Sequence, residues 1–196
     1  MSEVSIRQFE EFYTKIKGEY DDKKASSELN SDRMHNAAIM KLMLESSRDI
    51  FMFCGSLSIF RPEFYQYIAG KYDAETADYV KVRIAKALSD FLSDEKRHLN
   101  VILEKDVKDL ESSMILDCET VRSAINRGTL SLKSLNSKFL WGNMLSHFAY
   151  SNDSEMLRIE EDKIEHAGLF VTKDKRLLKY ANSTYDKLNA RSGVVA

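Results

Sequence analysis

The chain has 196 residues, 43% of them hydrophobic and 10% aromatic, enough to bury the core of one domain and too few for a second full one. Lys and Arg number 29 against 31 Asp and Glu, and the net charge of −2 excludes a global attraction to nucleic acid or to an anionic membrane. No stretch approaches the roughly 20 apolar residues of a spanning helix, and acidic residues interrupt the N-terminal MSEVSIRQFEEFYTKIK, so the expectation is a cytoplasmic protein with no membrane contact.

The first segment predicts an amphipathic helix, because Ile6, Phe9, Tyr13, Ile16 and Tyr20 recur three or four apart with charges between them. Gly18 to Asp32 is the least apolar stretch and reads as a hinge or exposed loop. Ser31 or Asp32 can cap a second helix whose broad apolar face includes Met34, Ala38 and Leu42 and which ends near Arg48. The run DIFMFC over residues 49–54, followed by Gly55-Ser56, predicts a buried central strand entering a loop.

Pro62, the only proline, suits the first turn of a helix through Tyr67. Ala77, Val80, Ile84, Ala87, Leu88 and Phe91 then hold a helical period, and HLNVILE over residues 98–104 reads as a second strand. Strand, helix and strand in that order favour parallel pairing. The polar segment from Lys105 to Glu119 reads as an excursion between core elements. In the last third, Phe148 to Tyr150, Glu155 to Ile159 and Ala167 to Val171 predict three short antiparallel strands, with a terminal helix from about Lys173 along Leu177, Ala181, Tyr185 and Leu188.

The expected fold class is therefore mixed α/β, an α+β sheet flanked by helices. Its expected division is an N-terminal helix and loop over 1–30, a single domain over 31–190 and a disordered tail over 191–196. Cys54 and Cys118 make neither a metal-ligand spacing nor a disulfide framework and read as buried thiols. No metal site and no cofactor is expected.

The chain carries no Gly-rich phosphate loop, no GxSxG elbow and no complete catalytic signature. Ser56 and Ser58, just past the carboxyl end of the first strand, stand where open α/β sheets often bind ligands. The acidic clusters Glu10-Glu11 and Glu160-Glu161-Asp162 read as solvated faces, and KDKR at 173–176 as the surface of a helix N-terminus. His35, His98 and His166 read as ordinary surface or core residues. His147 differs, because it opens SHFAYSNDSEMLRIEED with Ser146, Ser151, Asn152, Asp153 and Ser154 around a turn, and Ser151, Asn152 and Asp153 join the ligand-binding candidates.

From His147 to Tyr185 the chain resembles the C-terminal part of a phospholipase D-like domain of the single-motif bacterial type, and the elements over 34–104 resemble that fold's earlier half. The family motif is His, any residue, Lys, four residues, Asp. The resemblance implies a histidine nucleophile on phosphorus and a lysine on the phosphate oxygens. It also implies a homodimer, because one histidine attacks while a second protonates the leaving group. His147 falls on the motif histidine, but Ala149 stands at the lysine position and Ser154 at the aspartate position, with Asp153 one place early. The region where active members carry Gly-Ser and a following Asn reads EEDKIEH. An alanine cannot supply the cationic clamp for phosphoryl transfer.

Two expectations follow. The first is a non-catalytic interaction or regulatory protein on this scaffold, binding a protein partner or a phosphate-bearing or nucleic acid ligand, as an accessory subunit of a microbial antiviral defence or toxin-type system. The second is a phosphodiesterase or nuclease in which His147 acts within a dimer and Lys138 or Lys163 replaces the missing lysine.

Overall fold

In the computed structural model, residues 2–23, 25–104, 114–135, 145–162 and 167–194 are described. Among them are six α-helices and one mixed eight-stranded sheet. In chain order the elements are α1 Ser2–Asp21, β1 Ser26–Asn30, α2 Arg33–Ser46, β2 Asp49–Cys54, α3 Pro62–Lys71, α4 Ala74–Ser93, β3 His98–Leu103, α5 Cys118–Arg127, β4 Leu130–Leu135, β5 Phe148–Ser151, β6 Met156–Asp162, β7 Ala167–Thr172, α6 Lys175–Asn189 and β8 Ser192–Val194. The mixed α/β class expected from the periodicities is what the chain adopts. No helix among the described residues is long and apolar enough to cross a membrane.

The sheet runs β1-β7-β6-β5-β2-β3-β4-β8. β2, β3 and β4 are parallel, the first pair joined through α3 and α4 and the second through α5, whereas β5, β6 and β7 form an antiparallel meander on the other side of β2. Chain growth thus goes one way from β2 to β4 and the other way from β5 to β7, so the paired strands β2 and β5 flank the switch point of the sheet. In open α/β sheets, crevices at such points, outside the carboxyl ends of the parallel strands, are where ligands bind.

Side-chain alternation divides the core into two layers. On one face Met52, Val101, Leu132, Ala149, Met156 and Phe170 pack beneath α1 to α5. On the other, Phe53, Ile102, Phe148, Tyr150, Leu157 and Val171 pack beneath α6. Ile102, which breaks a simple alternation in HLNVILE, is explained by this second layer.

Helix capping follows local chemistry. Asp32, Asp73, Asp117 and Asp174 each accept a backbone N–H from the first turn of α2, α4, α5 and α6. Pro62 occupies the first turn of α3, where its missing N–H costs nothing. Gly128 ends α5 in the left-handed conformation (φ 77°).

Three expectations are corrected. The stretch from Gly18 to Asp32 is not simply a loop, since β1 lies within it and pairs antiparallel with β7. Residues 1–30 are not a separate appendage either, because Phe9, Tyr13 and Ile16 of α1 are buried in the same layer as α2 and α4, and Lys15 Nζ reaches Glu28 at 2.7 Å. Third, residues 192–194 of the expected tail form β8, the edge strand beside β4. SGV is too short to show an apolar period, and its pairing comes from backbone hydrogen bonds to a neighbour far away in sequence.

Candidate functional site

His147 immediately precedes β5. Because β5 runs antiparallel to β2, with Phe53 opposite Phe148, the imidazole lies at the carboxyl end of β2 beside Cys54 and Gly55, at the switch point. Its Nε2 is 3.3 Å from Glu104 Oε2, just beyond β3, and its Nδ1 is 3.6 Å from Glu160 Oε1 on β6. The ring also meets Phe53 edge-on at 5.6 Å.

Two residues back along β6 from Glu160, Arg158 Nη1 approaches Glu160 Oε2 at 3.4 Å. The spacing of two puts both side chains on the same face of the strand. Arg158 stands directly opposite Ala149 in the β5–β6 ladder, so the guanidinium rises on the face where the motif lysine position is left empty by alanine. Arg158 and Glu160 are both buried, 5% and 6% exposed, and such charges persist inside a protein only when paired. Burial pulls the Arg158 guanidinium below its ordinary range, against the opposing pull of Glu160.

These groups line a small cavity with Asn36 and Met40 of α2, Cys54, Ser58, Phe148 and Ala149, enclosing about 30 Å3. That is room on the scale of a water molecule. Gly55 lies against the imidazole: a Cβ there would come within 3.2 Å of His147 Cε1, closer than ordinary van der Waals contact. Desolvation, with Glu160 and Glu104 adding to it against one backbone hydrogen bond, pushes the Cys54 thiol up to about 12 and keeps it protonated and unreactive.

Of the residues singled out in the sequence, His147 and Ser58 line this cavity, and Ser56 sits in the loop just after β2 without lining it. Ser151, Asn152 and Asp153 lie elsewhere. They close the far end of β5, about 13 Å from residue 147 at roughly 3.3 Å per residue, where Asp153 accepts the backbone N–H groups of Arg48 at 2.7 Å and Asp49 at 3.2 Å and the Ser151 hydroxyl at 2.7 Å. Asn152 donates to Asn182 on α6 at 3.1 Å. These contacts tie the turn to the start of β2 and to α6, and the three residues stand apart from the cavity at His147.

Glu160 is likewise not on a solvated face, since it is among the most buried charges of the described chain. His35 stacks on Phe12 at 4.1 Å, and His98 Nδ1 meets Asp49 Oδ1 at 2.9 Å, both ordinary roles. Lys138, Lys163 and His166 lie outside the described residues, as does most of the segment 105–119. No group of three or more metal-ligating side chains occurs among the described residues.

The sequence pattern singled out neither Glu104 nor Arg158, and it marked Gly55 only as a loop residue and Glu160 only as part of a solvated face. The pattern Leu157, Arg158, Ile159, Glu160 held a signal for two of them: charges of opposite sign at alternate positions of an apolar strand share one face, and in a sheet covered on both sides that face is buried.

No protein-family model matches the chain, and no curated protein does. Among solved structures it is similar to TrmBL2, an archaeal chromatin protein described as showing a novel mode of DNA binding, with a TM-score of 0.53 and 14% identity over 86% of this chain and 54% of that one. The chain thus spans about half the length of that neighbour, and the likeness is one of fold alone.

Proposed function

We propose that the protein is a non-catalytic interaction or regulatory module on a phospholipase D-like scaffold. Its homodimeric state, its protein partner and its cytoplasmic residence belong to the same proposal. The supporting observation is that both ring nitrogens of His147 face carboxylates, Glu104 at 3.3 Å and Glu160 at 3.6 Å. A histidine nucleophile needs a lone pair aimed at phosphorus, and two carboxylates beside the ring oppose the approach of a phosphodiester anion. The neighbouring cation, Arg158, is bonded to Glu160 and so is not aimed at an incoming oxyanion.

The second reading, a phosphodiesterase or nuclease, draws support from the register of Arg158 against Ala149, which restores a positive charge near the imidazole. The enclosed volume and the two carboxylates weigh against it. DNA binding by TrmBL2 makes nucleic acid a partner class to test, although a net charge of −2 supplies no global electrostatic attraction to a polyanion.

Hydrolysis of bis(p-nitrophenyl) phosphate and of DNA by wild type and His147→Ala separates the two. Equal, negligible rates are expected, and wild-type turnover that disappears in His147→Ala overturns the proposal. A solution mass of 22.6 kDa, rather than twice that, removes the dimer from it.

A further inference from the structure

We infer that Glu160 is a built-in anion whose carboxylate fills an oxyanion pocket formed by Arg158 and His147, so that the pocket takes a sulfate- or phosphate-type group only when Glu160 is displaced. The inference deepens the non-catalytic reading and rests on it, because it names what holds the site shut.

The geometry is that of a bridging ligand. One oxygen of Glu160 faces the guanidinium of Arg158 at 3.4 Å and the other faces Nδ1 of His147 at 3.6 Å. An oxyanion bound between an arginine and a histidine presents its oxygens in the same way, one to each cationic or donor group. The main chain that carries the carboxylate is tied to His147, since the backbone N–H of Glu160 donates to the carbonyl of His147 at 2.8 Å. Its side chain and that of Arg158 project from the same face of one strand.

The surrounding walls are small where a tetrahedral group would need space. Ala149 lies across from Arg158, and Gly55 borders the ring. Asn36 and Ser58 add neutral polar groups to the lining. What prevents an anion from entering is then chiefly charge and the volume of one carboxylate. Counting formal charges, Glu104, Glu160 and Arg158 sum to −1 with a neutral imidazole and to zero with a protonated one. Removal of Glu160 shifts each sum by one positive charge.

The test uses the full chain and inorganic sulfate, a dianion throughout pH 6–8, with inorganic phosphate as a second probe. Wild type, Glu160→Ala and Glu160→Gln are titrated calorimetrically and melted with and without sulfate. Glu160→Ala is expected to bind sulfate at least tenfold more tightly than wild type. At ten times its dissociation constant, sulfate should raise the melting temperature of that variant by roughly 3–6 °C. Glu160→Gln, which removes the charge but keeps the volume, should fall between the two.

Adding Arg158→Met to Glu160→Ala should abolish binding.

Should Glu160→Ala fold only in the presence of sulfate, the inference is supported. If Glu160→Ala and Glu160→Gln are folded yet bind neither anion, or if wild type binds them as tightly, the inference is wrong. Binding that survives Arg158→Met also overturns it. Phosphodiester hydrolysis by wild type would instead defeat the non-catalytic reading, so the two failures are distinguishable.

Discussion

Arg158 and Ala149 face each other across the β5–β6 ladder, and the guanidinium pairs with Glu160 two residues along its own strand. The small side chain on one strand and the long charged one on the other occupy a single buried layer, together with Met52 and Met156. Removing the carboxylate partner's cation should therefore be costly. Arg158→Leu is expected to lose about 3–5 kcal/mol of unfolding free energy, because Glu160 is left buried without its compensating charge. Arg158→Leu with Glu160→Leu should recover most of that loss. Denaturant unfolding of the three proteins checks this, and a double variant no more stable than the single one would contradict the pairing.

Two glycines should respond differently to alanine. At Gly55 the added Cβ meets the edge of an imidazole at 3.2 Å. The ring can give by a few tenths of an ångström, at a cost of about 1–3 kcal/mol. At Gly168 the Cβ would run into the backbone carbonyl of Ile159 in the neighbouring strand, which cannot move without disturbing the β6–β7 ladder. Gly168→Ala is expected to be the more damaging in thermal melts, and the reverse order would refute this account of the strand spacing.

Asp153 serves the fold and not the cavity. Its carboxylate holds the backbone of Arg48 and Asp49 and the Ser151 hydroxyl. Asp153→Ala should cost about 1–3 kcal/mol of stability by leaving those donors short of a partner. It should leave the response of Glu160→Ala to sulfate unchanged. A loss of sulfate binding on adding Asp153→Ala would show that the two ends of β5 are coupled.

Acid should destabilise the junction of α2 and α3 through Asp32. Burial raises its pKa, but the Tyr72 hydroxyl, the His35 backbone N–H and the nearby His35 and Lys71 outweigh that, and the net shift is downward. A carboxyl depressed on folding contributes stability that is present above its unfolded value near 3.9 and is lost as pH falls through the folded value. Asp32→Asn should therefore be less stable than wild type at pH 7, with the gap closing as the pH drops below about 4. Urea unfolding at pH 7, 4 and 3 tests it, and a gap that widens in acid would contradict the assignment.

Local chemistry determined much of this protein by itself. The period of Ala77 to Phe91, the apolar run at 49–54 and the strand at 98–103 each appear where their patterns place them. The same holds for the three strands of the last third and for Asp32 as a cap. Such elements are legible because burial on one or two faces imposes a period on adjacent residues.

The tertiary structure decided the rest. β1 and β8 are short, polar edge strands that owe their pairing to partners more than 50 residues away. α5 and β4, which the periodicities did not single out, complete the parallel half of the sheet. The site was legible only at His147 and Ser58. Glu104, Arg158 and Glu160 come from β6 and the end of β3, and no spacing along the chain records that strand order brings them to one imidazole. Ser151 to Asp153, close to His147 in sequence, were carried to the opposite end of the sheet because an extended strand separates its ends by over 3 Å per residue.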